Sequence, residues 1–373
     1  MQIGIDASRA NKKHKTGVEW YSYHLIEQFK KIDRENRYFL YTNVPLIGDL
    51  ADCPENFIEK VLDWVIQRSW TLLRLSFEMK FGKDRPDVLF VPAHTIPLFN
   101  PKRSIVTIHD IGFEHFPEVY PWADRFYHKF IINFIKYFAT KIITVSNFTK
   151  IDLIRTYGID RAKISVVYNG YDNEKFRVLP RNEEFLRENK IDFPYMLFVG
   201  RLEQKKNIVR LVKAFSIFKK NNPTDNHKLI LIGRAGFGFA EIEQTILDCH
   251  LADDIVIQGW VGDNDLPLFL NHADLFVFPS LFEGFGIPII EAMACECPVI
   301  CSNTTSLPEV AGEAALMFNP EKEEDMAGRM EQVLFNPEVQ DSLRIKGARQ
   351  AERFSWRKCA EETLEILTDK SAE

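Results

Sequence analysis

Between residues 273 and 294 the chain has one reading: a buried strand, a glycine turn and a helix. Ala273-Asp274-Leu275-Phe276-Val277-Phe278-Pro279-Ser280 is an apolar run of strand length, rich in aromatic and β-branched residues. Glu283-Gly284-Phe285-Gly286 follows. Pro288-Ile289-Ile290-Glu291-Ala292-Met293-Ala294 then supplies good helix formers, with a proline tolerated only in the first turn. Strands that alternate with helices imply a parallel sheet covered on both faces, and the rest of the chain repeats the alternation.

In the first half the pattern predicts strands over 2–6, 37–42, 87–91, 104–109, 141–145 and 164–168, and helices over 17–32, 69–81, 121–139 and 147–157. Residues 170–192 are polar and charged around Pro180 and read as a linker. A second series follows, with strands over 195–199, 228–232, 254–257, 274–278 and 298–301. Its helices fall over 207–220, 239–249, 264–272, 287–295 and 323–334. A last helical segment runs from Phe354 to Leu367. The 373 residues suit two α/β domains, each with its own core. The expected division is 1–170 and 171–353, the second including a linker at 171–192, with a terminal helix over about 354–373.

No stretch reads as an export signal and no apolar run is long enough to span a bilayer, so a cytoplasmic protein is expected. Six cysteines are scattered without a disulfide framework. Cys295, Cys297 and Cys301 cluster, but in an apolar stretch and at no usual zinc spacing, which favours buried thiols over metal ligands. The net charge of −6 is divided unevenly: residues 1–180 carry +5 and residues 181–373 carry −11. A positive half can face an anionic membrane or a phosphorylated acceptor, or the asymmetry can be ordinary surface variation. Helix 121–139 interleaves aromatics with bases from Arg125 to Phe138, so core packing and contact with lipid headgroups both remain open for it.

Ligands of open parallel sheets sit beyond the carboxyl ends of the strands, and several polar groups fall there. Gly284 and Gly286 let the backbone turn sharply beside a helix start whose N–H groups are unpaired. Glu283 and Glu291, with seven residues between them, can both face that pocket and accept hydroxyl hydrogen bonds. In Gly200-Arg201-Leu202-Glu203-Gln204-Lys205-Lys206-Asn207, Arg201 and Lys206 put two cations beside another helix start, where a diphosphate could be neutralised. Alone, that run would read as a solvated loop; it shares a sheet edge with the glutamates. His109 ends the strand over 104–109 and can donate to a sugar hydroxyl or to a charge developing beside the anomeric carbon, a catalytic role, or serve as a structural hydrogen bonder. Gly17 lies between the first strand and first helix. Trp260 and Val261 follow another strand, with Trp260 either a ligand neighbour or a core aromatic.

The glutamate pair around F-G, together with G-R-L-x-x-x-K-N and the T-I-H-D-I-G-F stretch, resembles the retaining glycosyltransferases of family 4. The resemblance covers nearly the whole chain. It implies the GT-B fold: two Rossmann-like parallel-sheet domains facing each other across a cleft, the first on the acceptor side, the second binding a nucleotide sugar, and a final helix crossing back to the first. It implies that Glu291 binds ribose hydroxyls, that Glu283 and the amides of Gly284, Phe285 and Gly286 hold the sugar, and that Arg201 and Lys206 hold the phosphates. His109 would line the donor-sugar pocket, and Trp260 and Val261 would receive the nucleobase, partly through backbone groups. Relatives often carry two glycines where only Gly17 stands here, and usually have glycine at position 296, which is glutamate here.

The expected activity is transfer of a hexose with retention from a sugar nucleotide to an acceptor hydroxyl, in polysaccharide or glycolipid synthesis. The H-D-I-G-F-x-x-F-P run leans towards GDP-mannose, the alternative being a UDP-sugar glucosyl- or N-acetylglucosaminyl transferase. No cofactor and no metal are expected, since no Asp-x-Asp motif stands where a metal-dependent enzyme needs one. Expected partners are the donor, a glycan or lipid-linked acceptor and the inner face of a membrane touched peripherally through the first domain; nucleic acid is not among them. A nicotinamide-dependent dehydrogenase would need a G-x-G-x-x-G after a first strand, which neither half has. A non-catalytic sugar-binding relative would lose pocket groups that are all present here.

Overall fold

The computed structural model describes residues 1–66 and 69–369. The end of the expected terminal helix, 370–373, lies outside them. The chain divides into two compact units, Met1–Gly170 with Trp356–Glu373, and Tyr171–Ser355.

The first unit holds a seven-stranded parallel sheet of β1 (Gln2–Asp6), β2 (Arg37–Thr42), β3 (Phe57–Val61), β4 (Val88–Val91), β5 (Arg103–Ile108), β6 (Lys141–Thr144) and β7 (Ile164–Val166). Their order is β3-β2-β1-β4-β5-β6-β7. The chain winds outward from β1 in one direction and from β4 in the other, so a topological switch point lies between those two strands. β4 and β5 are buried along their whole length, as expected for strands covered on both faces. The second unit repeats the design with β8 (Tyr195–Val199), β9 (Lys228–Ile232), β10 (Ile255–Gly259), β11 (Leu275–Phe278), β12 (Val299–Ser302) and β13 (Leu316–Phe318). Their order is β10-β9-β8-β11-β12-β13, and every pair is parallel.

Two strands and several helices escape the sequence pattern. β3 is an edge strand whose Glu59 and Lys60 interrupt its apolar content, and β13 has only three residues. The helix Pro337–Ala351 buries only four residues, so its periodicity is weak. Its start was nevertheless written in Asn336-Pro337: the Asn336 side chain accepts from Val339 N–H, and proline fills the first turn. The stretch expected to be a linker contains the helix Glu183–Glu188 and belongs to the second unit.

The terminal helix begins at Trp356 rather than at Phe354. Phe354 stays in the second unit, edge-on to Phe285 with ring centroids 5.7 Å apart. Trp356 stacks on His24 of the first unit at 4.9 Å and 11°. Arg103 donates to the Leu367 carbonyl at 3.1 Å, which fastens the end of the helix to β5. No helix among the described residues is long and apolar enough to cross a membrane. All six cysteines are free, with Cys295, Cys297 and Cys301 buried.

Glu296 explains why glycine is the usual residue there in the sequences it resembles. Its φ is +53°, and it closes the helix Ile287–Ala294 with Glu296 N–H donating to Met293 and Cys297 N–H donating to Ala292, both at 3.0 Å. This double hydrogen bond is the Schellman ending, which requires a left-handed residue, and a side chain there is crowded by its own backbone. Glu296→Gly is therefore expected to stabilise the second unit by on the order of 1 kcal/mol, the relief of strain exceeding the added freedom of the unfolded chain. A thermal melt that stays put or falls would count against this account.

Candidate active site

The loops after β8, β9 and β11 meet at one edge of the second sheet and are tied by their backbones. Leu202 N–H donates to the Arg234 carbonyl, Gly236 N–H to Leu202, Gln204 N–H to Phe237 and Leu281 N–H to Lys205, each at 2.9 Å. Glycine is obligatory where these loops cross: a Cβ on Gly233, whose φ is +149°, would lie 1.8 Å from the Gly200 carbonyl oxygen.

Arg201 and Lys206 sit on the turn after β8. Asn207 follows them with φ +63°, a conformation asparagine tolerates better than most residues, and its amide donates to the Pro320 carbonyl at 2.7 Å. The two cations differ. Arg201 keeps 65% of its side chain exposed and lies 3.5 Å from Glu203, a buried carboxylate that also stands 3.6 Å from Lys205. Lys206 was expected on an exposed helix start, but its side chain is 15% exposed and forms a close ion pair with Glu283, itself 14% exposed. The cation beside the expected phosphates and the carboxylate beside the expected sugar are therefore in direct contact in the ligand-free chain.

The glycine loop is clamped from below by residues the sequence did not single out. Ser306, fully buried, donates to the carbonyls of Glu283 and Phe285 at 2.9 and 3.0 Å. Thr305, with φ +58°, accepts from Glu283 N–H at 3.3 Å. Of the two loop glycines only Gly286 takes a positive φ, +101°, and a Cβ on it would meet Leu307 at 2.8 Å. Gly286 caps the helix Ile287–Ala294, so its first N–H groups open on the same edge as Lys206 and Glu283. Phe285 is buried. Trp260 leaves β10 through a register shift between Ile257 and Gly259, whose φ is +73°. Such a bulge re-aims the next side chain, and Trp260 is 57% exposed, which disposes of the core reading.

Glu291 is set apart from Glu283 electrostatically. Burial of its carboxyl group pushes its pKa up to about 7, against the pull of Lys175 and with the help of Asp172 and Asp263. Lys175 and Asp172 lie in the stretch expected to be a linker.

Gly17 and His109 belong to the first unit. Gly17 opens the helix Gly17–Ile32 behind a Thr16–Glu19 capping box, and a Cβ there would meet nothing within 4 Å. His109 Nε2 lies 3.1 Å from the Pro92 carbonyl, which can only accept, so Nε2 carries the proton. Burial holds the ring neutral, and what it can offer a hydroxyl is the acceptor Nδ1 rather than the expected donor.

The first unit also contains a cavity of about 750 Å3 that sequence reasoning missed. It lies at the switch point: Ser8, Arg9 and Lys12 follow β1, Asn43 and Val44 follow β2, His94 and Thr95 follow β4, and Tyr127 and His128 come from the helix Trp122–Phe138. Burial, reinforced by His128, lowers His94 to about 3, and burial also lowers His128, so both imidazoles are neutral hydrogen-bonding groups. Along that helix Trp122, Phe126 and Phe130 form an exposed stripe four residues apart, 80, 72 and 47% exposed. The lysines expected to flank it are held by the protein: Lys129 pairs with Glu114 at 2.7 Å, and Lys136 donates to the Tyr157 carbonyl at 2.7 Å.

Among the described residues no group of three His, Cys, Asp or Glu side chains could hold a metal ion.

Comparison with known proteins adds the family. Residues 181–350 match the model of glycosyl transferases group 1, and residues 16–175 match that of glycosyltransferase family 4. The O-antigen chain mannosyltransferase B of Escherichia coli is 31% identical over 273 residues, 70% of this chain and 69% of that protein. The O-antigen chain mannosyltransferase RfbU of Salmonella typhimurium is 32% identical over 263 residues, 70% of this chain and 68% of that one. The sucrose-phosphate synthase of Thermosynechococcus elongatus has the same fold, with a TM-score of 0.77 over 98% of both chains at 19% identity.

The raised pKa of Glu291 has a consequence for pH. Below about pH 7 the carboxyl holds its proton, and the ribose role expected of Glu291, accepting two hydroxyl bonds, needs it released first. KM for the nucleotide donor should therefore rise as pH falls from 8 to 6, and Glu291→Gln should flatten that rise while weakening binding throughout. A wild-type KM independent of pH over that range would refute the ribose role.

Proposed function

The chain belongs to the family 4 glycosyltransferases, and on that premise we propose that it moves mannose from GDP-mannose to an acceptor hydroxyl with retention of anomeric configuration. The observation that carries this reading is the Lys206–Glu283 contact at the sheet edge that also bears Arg201 and the start of helix 287–294. Phosphate chemistry and sugar-hydroxyl chemistry are thereby adjacent. Mannose is favoured because the two curated relatives above are named as mannosyltransferases.

In the proposed reaction Arg201, Lys206 and the helix N–H groups take the charge that grows on the departing diphosphate. The acceptor oxygen bonds to the anomeric carbon on the face the diphosphate leaves, and its proton passes to a diphosphate oxygen. Glu283 holds a sugar hydroxyl, and Glu291 holds the ribose. Two fixed cations and a helix start supply the positive charge, so no divalent ion is required. Trp260 and Val261 border the base. His109 accepts from a sugar hydroxyl through Nδ1. The switch-point cavity, lined by Arg9, Lys12 and Asp124 together with neutral imidazoles, amides, hydroxyls and the Tyr127 ring, takes the glycan end of the acceptor.

Arg201→Ala tests the phosphate assignment cleanly, since the side chain is exposed and its loss should leave the fold intact. It should lower kcat/KM for transfer from GDP-mannose by on the order of 10²-fold. Activity should persist in excess EDTA. An unchanged Arg201→Ala enzyme, or activity lost on chelation and restored by magnesium, would remove the phosphate model.

The aromatic stripe of helix 122–138 extends the proposal to a peripheral contact with lipid at the inner membrane face, where a lipid-linked acceptor would be met. With Lys129 and Lys136 engaged inside the protein, aromatic insertion should dominate over charge. Trp122→Ala with Phe126→Ala should abolish co-sedimentation with anionic vesicles, and added salt should weaken wild-type binding only slightly. Absence of wild-type binding would dismiss the contact.

A further inference from the structure

The loop after β9 carries a cation that has no part in the mechanism above. Arg234 is held through its neighbours on both sides: Gly233 N–H donates to the Gly259 carbonyl at 2.7 Å, and the Arg234 carbonyl accepts from Leu202. Two residues on, Gly236 packs so closely on the turn after β8 that an added Cβ would lie 2.8 Å from that of Glu203. The Arg234 backbone is thus fixed between the turn bearing Arg201 and the loop bearing Trp260. Its side chain is exposed, and the guanidinium carbon lies 5.6 Å from the centroid of the Trp260 ring. Among the described residues it makes no hydrogen bond or ion pair.

We infer that Arg234 and Trp260 together read the nucleobase of the donor, and that the base they select is guanine. The inference rests on the donor-site reading given above. Strand order β10-β9-β8-β11 sets Trp260, Arg234, the Arg201–Lys206 turn and Glu283 in sequence along the edge, an order that runs from base through diphosphate to sugar. The exposed indole, turned outward by the bulge at Gly259, offers a flat platform for a purine. Contact with the indole pre-orients the planar guanidinium, which presents two parallel N–H donors. Guanine answers with the adjacent acceptors O6 and N7. Adenine sets an amino donor beside N7, and uracil shows O4 beside a C–H, so neither accepts both bonds.

The test is calorimetric titration of the full chain with GDP and with UDP, in the wild type and in Arg234→Lys. Lysine keeps the charge and loses the two-pronged geometry. The wild type should prefer GDP, and the variant should lose about tenfold or more in GDP affinity while UDP affinity changes by less than about threefold. Equal losses for both nucleotides would make Arg234 a phosphate cation and overturn the inference. A GDP preference untouched by Arg234→Lys would overturn it while leaving the GDP-mannose reading standing. A wild type that prefers UDP would overturn both.

Discussion

A parallel sheet buried on both faces disfavours charge along the middle of its strands, because an ionised group there would lose its water without replacement. Polar function is driven to the strand ends, and the second unit concentrates it at the carboxyl edge of β8 to β11. What makes that edge usable is the backbone lattice between loops: four hydrogen bonds at 2.9 Å, and a glycine at 233 that lets two loops cross at contact distance. Without it, the turn bearing Arg201 and Lys206 and the loop bearing Glu283 would move independently, and holding their charges close together would cost conformational entropy on every encounter with ligand.

The Lys206–Glu283 pair shows how charge is accommodated at that edge. Both side chains are largely covered, and either charge alone would be expensive there. Together they neutralise each other. The arrangement also argues against Glu283 as a covalent nucleophile, since a lysine in contact with a carboxylate lowers its reactivity towards an electrophilic carbon. Substituting one partner would confound loss of function with loss of stability, whereas exposed Arg201 separates the two.

The sequence made the strand–turn–helix order and the residues at strand ends legible because burial imposes a strong apolar pattern and ligand loops follow it directly. It concealed whatever depends on distance in space. Ser306 and Thr305 clamp the glycine loop from more than twenty residues away, and a serine beside a threonine carries no local mark of that task. The cavity of the first unit draws on five separate stretches, none of which forms a motif. Lys175 was lost inside a polar stretch that looks like a linker because only the fold brings it towards Glu291. Glu296 was visible as a departure from glycine, but its meaning came from a φ of +53°.

The two glutamates of the motif show most clearly why spacing alone is insufficient. In sequence they are equivalent acids with seven residues between them. In the fold, one rides on a loop beside a lysine and the other on a helix, its carboxyl buried, with Lys175 pulling its pKa down and Asp172 and Asp263 pushing it up. The first is paired with its lysine, and burial makes the second keep its proton until near pH 7. A ligand that brings hydroxyl donors to Glu291 supplies the hydrogen bonds that water would otherwise give the carboxylate, and so favours ionisation. Binding and proton release are thus coupled at Glu291, a property set by its surroundings rather than by residue type.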